Sequence, residues 1–469
     1  MAHDLVFRNG VVLTPVGLVQ GGVAVDGETI TAVGSDRSLG QARRTIDLAG
    51  RILFPGIIDP HLHFGFGDDV DQDTQVTDFA VNSKDCLVGG VTTISTTTLV
   101  GREPLSDLLV QARESGQDRS YCDYRVSCCV STRDQVEEIP ALIDQGVVSF
   151  KFFTGYIGEQ AEGFGMNPEG ITPALFYEAC EAIKRSRGKA FAQIHAEEPT
   201  VRGLLIDRLR ERPEGGKLTA WADCSPAWAE AVQIFMYGQI ANEVGVPLYP
   251  VHVSSKEALE TIRWMRQRGF DITAETLALF LNTTAEEMDA AGWGGEAKIQ
   301  PPIRHQTDQD ALWQALGDGT IATIGTDSLT YSARYKSGTD FWDCRVGVNL
   351  QVADTMPLLY TQGVDSGRLD LVILAKLLSE NSARRFGMFP KKGQIALGSY
   401  ADLVIIDQDR EIRLGVERYL GNTDYCLWEG RPAKGVPVMT VVRGEIAAED
   451  GEITSDSPTG RFVDRAWFG

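Results

Sequence analysis

Six histidines occur in this 469-residue chain, and four stand in short apolar segments: His61 and His63 in FPGIIDPHLHFG, His195 in AFAQIHA and His252 in PLYPVHVSS. Asp327 holds a like position in IATIGTDS. Imidazole nitrogens and carboxylate oxygens are the usual ligands of catalytic zinc, so this placement points to a metal site assembled from distant parts of the chain. One residue separates His61 from His63, and in a strand both side chains leave the same face and can hold one ion. Taken singly, His195 and His252 read as core histidines and Asp327 as an N-cap or turn carboxylate. Their joint placement at strand ends turns the reading to ligands, with Asp327 also able to take the proton of an attacking water.

Lys151 lies in VVSFKFFTGY, an otherwise apolar run. It reads either as a lysine snorkelling from a strand end or as a buried amine. A buried amine is the more nucleophilic, and adding carbon dioxide to it gives a carbamate whose two oxygens can bridge two metals.

These residues need a frame. Eight apolar strand-like runs (FPGIIDPHLHF, TTISTTTL, YRVSCCVS, VVSFKFF, AFAQIHA, PLYPVHVS, FDITAETLAL and IATIGTDS) alternate with helical stretches such as LSDLLVQARESG, PALFYEACEAIKRSRG and KEALETIRWMRQRG. That alternation predicts an α/β protein with a parallel (β/α)8 TIM barrel over residues 53–389, the histidines lying at its mouth. A doubly wound sheet is the rival, but no glycine-rich phosphate fingerprint follows the first strand. Residues 1–52 and 390–469 share another texture, short strands broken by turns, with Asn9-Gly10 and Asp26-Gly27 read as hairpin turns. The two ends are expected to pair into one small β domain.

Net charge is −21, spread along the chain, which argues against nucleic acid or an anionic membrane as partner. No segment approaches eighteen uninterrupted apolar residues and no secretory leader opens the chain, so a cytoplasmic enzyme is expected. The eight cysteines show no zinc-knuckle or framework spacing and read as reduced structural residues.

Together DPHLH, SFKFFTGY, QIHAE, VHVSS, KIQPPIR, IGTDS and the late LSENSARRFGMFPKKGQIALGSYADLVIID resemble the amidohydrolase superfamily, in its hydantoinase, dihydropyrimidinase, allantoinase and dihydroorotase branch. Order and approximate spacing agree over nearly the whole chain. The resemblance implies a barrel flanked by a β-sandwich of both chain ends, and two divalent metals, zinc first with manganese or cobalt as alternatives, bridged by a carboxylated lysine and by hydroxide. Carried over, His61, His63 and Asp327 ligate the more buried metal, His195 and His252 the more exposed one, and carboxylated Lys151 both. Asp327 then shuttles the proton, and Tyr156, five residues after the lysine, hydrogen-bonds the developing oxyanion. Relatives are commonly dimers or tetramers, so a homo-oligomer, for instance a homotetramer, is expected.

The chain departs from the pattern in the loop after the HxH pair, FGFGDDVDQDT. It lacks the cation that would hold an anionic ring and offers Phe64 and Phe66 beside several acids, so a neutral cyclic amide or imide with an apolar substituent is expected, of hydantoin or dihydropyrimidine type. Gln300 in IQPPIR and Asn349 in RVGVNLQVADTMPLLY fall in segments expected to contact the ring. The alternatives are an allantoinase or dihydroorotase activity, another imide, lactam, carbamate or ester hydrolase on the same site, or a non-catalytic scaffold of the same fold. Retention of all six ligand positions argues against the scaffold.

Overall fold

The computed structural model describes residues 2–212, 215–337, 341–349 and 352–463. Two sheet systems organise them. The first takes its strands from both ends of the chain: β1 (His3–Thr14), β2 (Gly17–Asp26), β3 (Thr29–Gly34), β4 (Ala42–Asp47) and β5 (Ile52–Pro55). The intervening chain, with the strands β6 to β15 described below, leads back to β16 (Leu403–Asp407), and beyond a short pair, β17 (Ile412–Arg413) with β18 (Pro432–Ala433), come β19 (Val436–Val442), β20 (Glu445–Glu449) and β21 (Glu452–Ile453). Its order is β21-β20-β19-β16-β5-β1-β2-β3, with β4 alongside β1, so the expected pairing of the two ends holds. Asp26-Gly27 does turn the β2–β3 hairpin. Asn9-Gly10 does not turn a hairpin: Asn9 takes a φ of 58° inside β1 and the register with β2 shifts between Phe7 and Gly10, so the extra residue is absorbed as a bulge.

The second system holds the alternating middle. Strands β6 (Ile57–Asp59), β8 (Val91–Thr97), β9 (Asp123–Cys129), β10 (Ser149–Phe153), β11 (Phe191–His195) and β12 (Leu248–Pro250) lie parallel in that order. β13 (Ala274–Leu277) pairs with β14 (Ile321–Gly325), and β15 (Ser328–Thr330) with β7 (Leu62–Gly67), both in parallel, while a single bridge joins Leu248 to Ile272 just before β13. Each of the eight expected runs therefore carries a strand of a curled, mixed α/β architecture. Apart from Phe153 and Ala322, the strand residues of β6 through β15 are buried, as parallel strands covered by helices should be.

The first run divides in three, because β5 belongs to the chain-end sheet and β6 and β7 to the parallel system. Gly56 marks the crossing: a Cβ there would stand 2.3 Å from Thr92 Oγ1 and 2.8 Å from Asp402 Cβ. Helices follow the strands with ordinary capping chemistry. Thr132 and Gln135 form a capping box at Arg133–Asp144, and Thr172 and Ser255 cap Pro173–Lys184 and Lys256–Arg266. Burial of one apolar stripe per helix against the strands is the main stabilising contribution. All eight cysteines are buried free thiols, in keeping with their reading as structural residues. Among the described residues no helix is long and apolar enough to cross a membrane.

Candidate metal centre

β7 carries His61 just before its start and His63 within it, and their Nε2 atoms converge to 3.2 Å. Asp327 Oδ1 stands 3.2 Å from His61 Nε2 and 3.0 Å from His63 Nε2, and Lys151 Nζ lies 3.2 Å from His61 Nε2. Three donor atoms, from His63, Asp327 and Lys151, thus each stand 3.2 Å from His61 Nε2, and the four residues come from three distant segments. His195 and His252 complete the floor, their ring centroids 4.5 Å apart, with His252 5.6 Å from His61. The sequence-expected ligands are brought together in one cluster.

Buried carboxylates hold this cluster from behind. Glu275 Oε1 on β13 stands 2.8 Å from His61 Nδ1, and the tautomer that donates Nδ1–H to it leaves the Nε2 lone pair facing inward. Glu197 faces His195 Nε2 at 2.8 Å and accepts from Ser225 Oγ. Asp59 accepts the His61 backbone N–H at 3.1 Å and the Thr326 hydroxyl at 2.6 Å, tying the end of β6 to the end of β14. His252 Nδ1 is buried with no partner. A second imidazole, a carboxylate and an amine gathered at 3.2 Å around His61 Nε2, with an orphaned ring nitrogen beside them, form a donor set that fits divalent cations.

Burial pushes the Lys151 amine down to about 8 and the Glu275 carboxyl up to about 8. It lowers His61, His195 and His252 as well, and so favours their neutral, ligating form. Burial alone would raise Asp327, but His61, His63 and Lys151 outweigh it and hold the carboxyl at about 2. Two of the expected ligands use left-handed backbone, His252 at φ 39° and Asp327 at φ 52°, a conformation uncommon outside glycine and concentrated at functional sites. At Asp327 the backbone N–H is anchored on His61 O at 2.8 Å.

Above the donors opens a cavity of about 520 Å³, mouth included, lined by His63, His195, His252, Asp327, Tyr156 and Gln300 on its polar side. Phe66, Val100, Phe153, Phe164, Met166, Leu329 and Val346 supply an apolar side. A polar floor facing an apolar wall is the lining expected for a small polar ring with an apolar substituent. The Tyr156 ring packs 5.0 Å from His195 and 5.1 Å from Phe164, and burial pushes its hydroxyl pKa up, so the group stays protonated.

Two expected ring contacts lie elsewhere. Phe64 is turned into the core against Phe79, centroids 5.1 Å apart, because strand alternation sends it opposite to His63. Alternation would send Phe66 the same way. Gly65, at φ 95°, resets it and brings Phe66 into the cavity, 5.2 Å from His63. Asn349 is outside the cavity lining: its backbone N–H donates to Tyr425 Oη at 2.9 Å and its side chain joins Thr423 and Tyr331. Val346 and Gly347 of the same segment reach the cavity in its place.

Sequence reasoning passed over Glu275, Glu197 and Asp59, although each is an acid beside or inside an apolar strand run, AETL, QIHAE and IIDPHLH. It also passed over Arg202, buried in the helix Pro199–Arg210, whose guanidinium lies 5.7 Å from the Tyr156 ring and donates to Gly155 O at 2.9 Å and Gln160 Oε1 at 2.6 Å. A long-range partner of a tyrosine leaves no local signal.

Comparison with known proteins agrees with this geometry. The profile of the amidohydrolase family matches residues 52–447. The chain is 31% identical to a D-hydantoinase of Ralstonia pickettii over 98% of this chain and 99% of that one, and 29% identical to an L-hydantoinase of Paenarthrobacter aurescens over 98% of both. Among solved structures, the dihydropyrimidinase of Brevibacillus agri superposes with a TM-score of 0.88 at 28% identity, covering 99% of both chains. The chain belongs to the amidohydrolase family, in its cyclic amidohydrolase branch.

Proposed function

We propose that this chain is an enzyme that hydrolyses the C–N bond of a neutral cyclic amide or imide bearing an apolar substituent, of hydantoin or dihydropyrimidine type. The observation that carries the reading is the convergence of His61, His63, Lys151, His195, His252 and Asp327 on the floor of a cavity whose other wall is apolar. His61, His63 and Asp327 would hold one divalent metal, His195 and His252 a second, and Lys151, as its carbamate, both. Zinc suits the nitrogen-rich donors, with manganese or cobalt as alternatives. Such ions supply Lewis acidity, making water nucleophilic near neutral pH and polarising the scissile carbonyl.

Asp327, ionised at neutral pH, accepts the proton of the attacking water and returns it to the ring nitrogen as the C–N bond breaks, leaving a carboxylate and a free N–H. Tyr156 donates its hydroxyl proton in a hydrogen bond to the oxygen that gains charge. Arg202 positions that tyrosine. Arg202→Met is expected to lower kcat about tenfold with KM changed less, and Arg202→Lys to recover part of it, since both the stacked cation and the Gly155 contact set the ring's place. A parallel loss of folded protein on circular dichroism would assign Arg202 to stability instead.

The frame in this reading is a closed (β/α)8 barrel with a β-sandwich of both chain ends, the expected boundary at residues 52/53 moving to 55/56 because β5 pairs with β1 and β16; the parallel order from β6 to β12 and the Leu248–Ile272 bridge toward β13 support it. Homo-oligomerisation is supported by an exposed apolar face of Trp228, Val232, Phe235 and Trp264 on two adjacent helices. Rates on hydantoin, dihydrouracil, allantoin, dihydroorotate, phthalimide and simple lactams, measured side by side with acyclic amides and esters, test the function. Turnover of an acyclic amide or ester while every ring stays closed would overturn it.

A further inference from the structure

Two buried lysines have no task in the scheme above. Lys298 and Lys336 are each 1% exposed, and neither meets a carboxylate at salt-bridge distance among the described residues. A lysine so placed costs free energy unless its N–H groups find acceptors. Here they do, on backbone carbonyls. Lys298 Nζ donates to Phe341 O at 2.7 Å, Trp342 O at 3.1 Å and Cys344 O at 3.1 Å, with the Trp221 ring 4.5 Å away. Lys336 Nζ donates to Lys298 O at 2.9 Å, Arg345 O at 2.6 Å and Gly347 O. Three acceptors around each nitrogen match the three N–H groups of an ammonium. Burial pushes the Lys336 amine down to about 7, and its neutral form still keeps two N–H groups for these carbonyls.

Five of the six acceptors belong to residues 341–347, which form neither helix nor strand between the helices Ala333–Ser337 and Val352–Leu359. Carbonyls in such a segment lack the partners that a sheet or helix supplies. The two lysines supply them, so the segment is wrapped around side-chain nitrogens. Its last residues belong to the cavity: Val346 and Gly347 line the wall, whereas Lys298 and Lys336 do not. Gly347 is fixed on both sides, its N–H on Lys298 O at 3.0 Å and its carbonyl on Lys336 Nζ. Lys336 Nζ also reaches that same Lys298 O, so one nitrogen joins Lys298, Arg345 and Gly347. We propose that Lys336 is a positioning residue whose side chain, seated on Lys298 O, holds Val346 and Gly347 at the cavity wall and so sets the affinity for the ring without touching it. This rests on the reading of the cavity as the substrate site of a cyclic amide hydrolase and adds what keeps its wall in place.

Lys336→Met nearly keeps the length of the side chain and removes every donor. In the metal-replete enzyme it is expected to raise KM for hydantoin about tenfold and to leave kcat within about threefold, because a wall in place part of the time lowers affinity by that fraction while the bound complex reacts as before. Hydrogen exchange should quicken in peptides covering 341–349 and stay unchanged in β6 to β12. Lys336→Ala should show the same rise in KM, and n-propylamine, which replaces the carbons and the nitrogen removed, should reverse it. Lys336→Met, with that space filled, should not respond to the amine. A kcat that falls more than KM rises, exchange that quickens throughout the chain, or a KM within about twofold of wild type would overturn the proposal. If Lys336→Met does not fold, Lys336→Ala purified with n-propylamine and assayed after its removal gives the same comparison. Calorimetric binding of hydantoin reads the wall without turnover. Weaker binding by Lys336→Met in an enzyme that opens no ring would therefore count against the hydrolase reading alone.

Discussion

Lys151→Ala is expected to lower ring-opening activity by at least about 10³-fold, and millimolar acetate or propionate to restore a measurable part of it. The lysine is fully buried in β10, with His61 Nε2 at 3.2 Å and the Phe153 ring at 5.2 Å as its near neighbours. No carboxylate pairs with it at salt-bridge distance among the described residues, so an ammonium there would sit in low dielectric against imidazoles. Such a position favours the neutral amine and, with carbon dioxide, its carbamate. Truncation to alanine removes the proposed bridging oxygens and leaves a void a few atoms long between His61 and Phe153. A short carboxylic acid fits that void and offers the same pair of oxygens, whereas Lys151→Met fills it and should not be rescued. Unchanged activity in Lys151→Ala, or equal response of the alanine and methionine variants to acetate, would remove the carbamate from the mechanism. Bound metal measured by elemental analysis should fall in step with activity.

Asp327→Asn is expected to cost about 10³-fold in kcat with the fold intact, because it removes the proposed proton acceptor and weakens a proposed metal ligand together. The two His–Asp contacts, 3.2 and 3.0 Å, hold the carboxylate ionised at neutral pH, which a carboxamide cannot imitate. Its backbone strain at φ 52° is tolerated well by asparagine, so the substitution probes chemistry rather than conformation. A kcat within tenfold of wild type would assign proton transfer to another group. Circular dichroism and thermal midpoint, both expected to stay near wild type, separate this from unfolding.

The strands and the primary donors were legible because their signals are local. Eight apolar runs each yielded a strand, and the one-residue spacing of His61 and His63 is a direct consequence of the strand period. What sequence hid were features set by backbone exceptions and by distant partners. Gly65 at φ 95° breaks the alternation, so Phe66 enters the cavity and Phe64 does not, an inversion that no periodicity argument gives. The Asn9-Gly10 dipeptide has turn composition, yet the strand runs through it as a bulge because Asn9 adopts left-handed backbone without reversing the chain. Asn349 was drawn to the pocket by its segment, but Tyr425, Thr423 and Tyr331, the first two more than seventy residues away, claim its polar groups. Glu275 reaches His61 across 214 positions, and only the folded chain shows the pair.

The seam between β5 and β16 joins residues 52–55 to residues 403–406. During synthesis the N-terminal strands can form their meander early, yet the outer edge of β5 has no partner until the ribosome has made some 350 further residues. Closing so distant a contact is slow, and an open strand edge waiting for it is a template for pairing with another chain. Expression yield should therefore depend more on what shields that edge during translation than on the thermodynamic stability of the finished enzyme, and variants that slow chain completion should aggregate through β5 before they lose any catalytic residue.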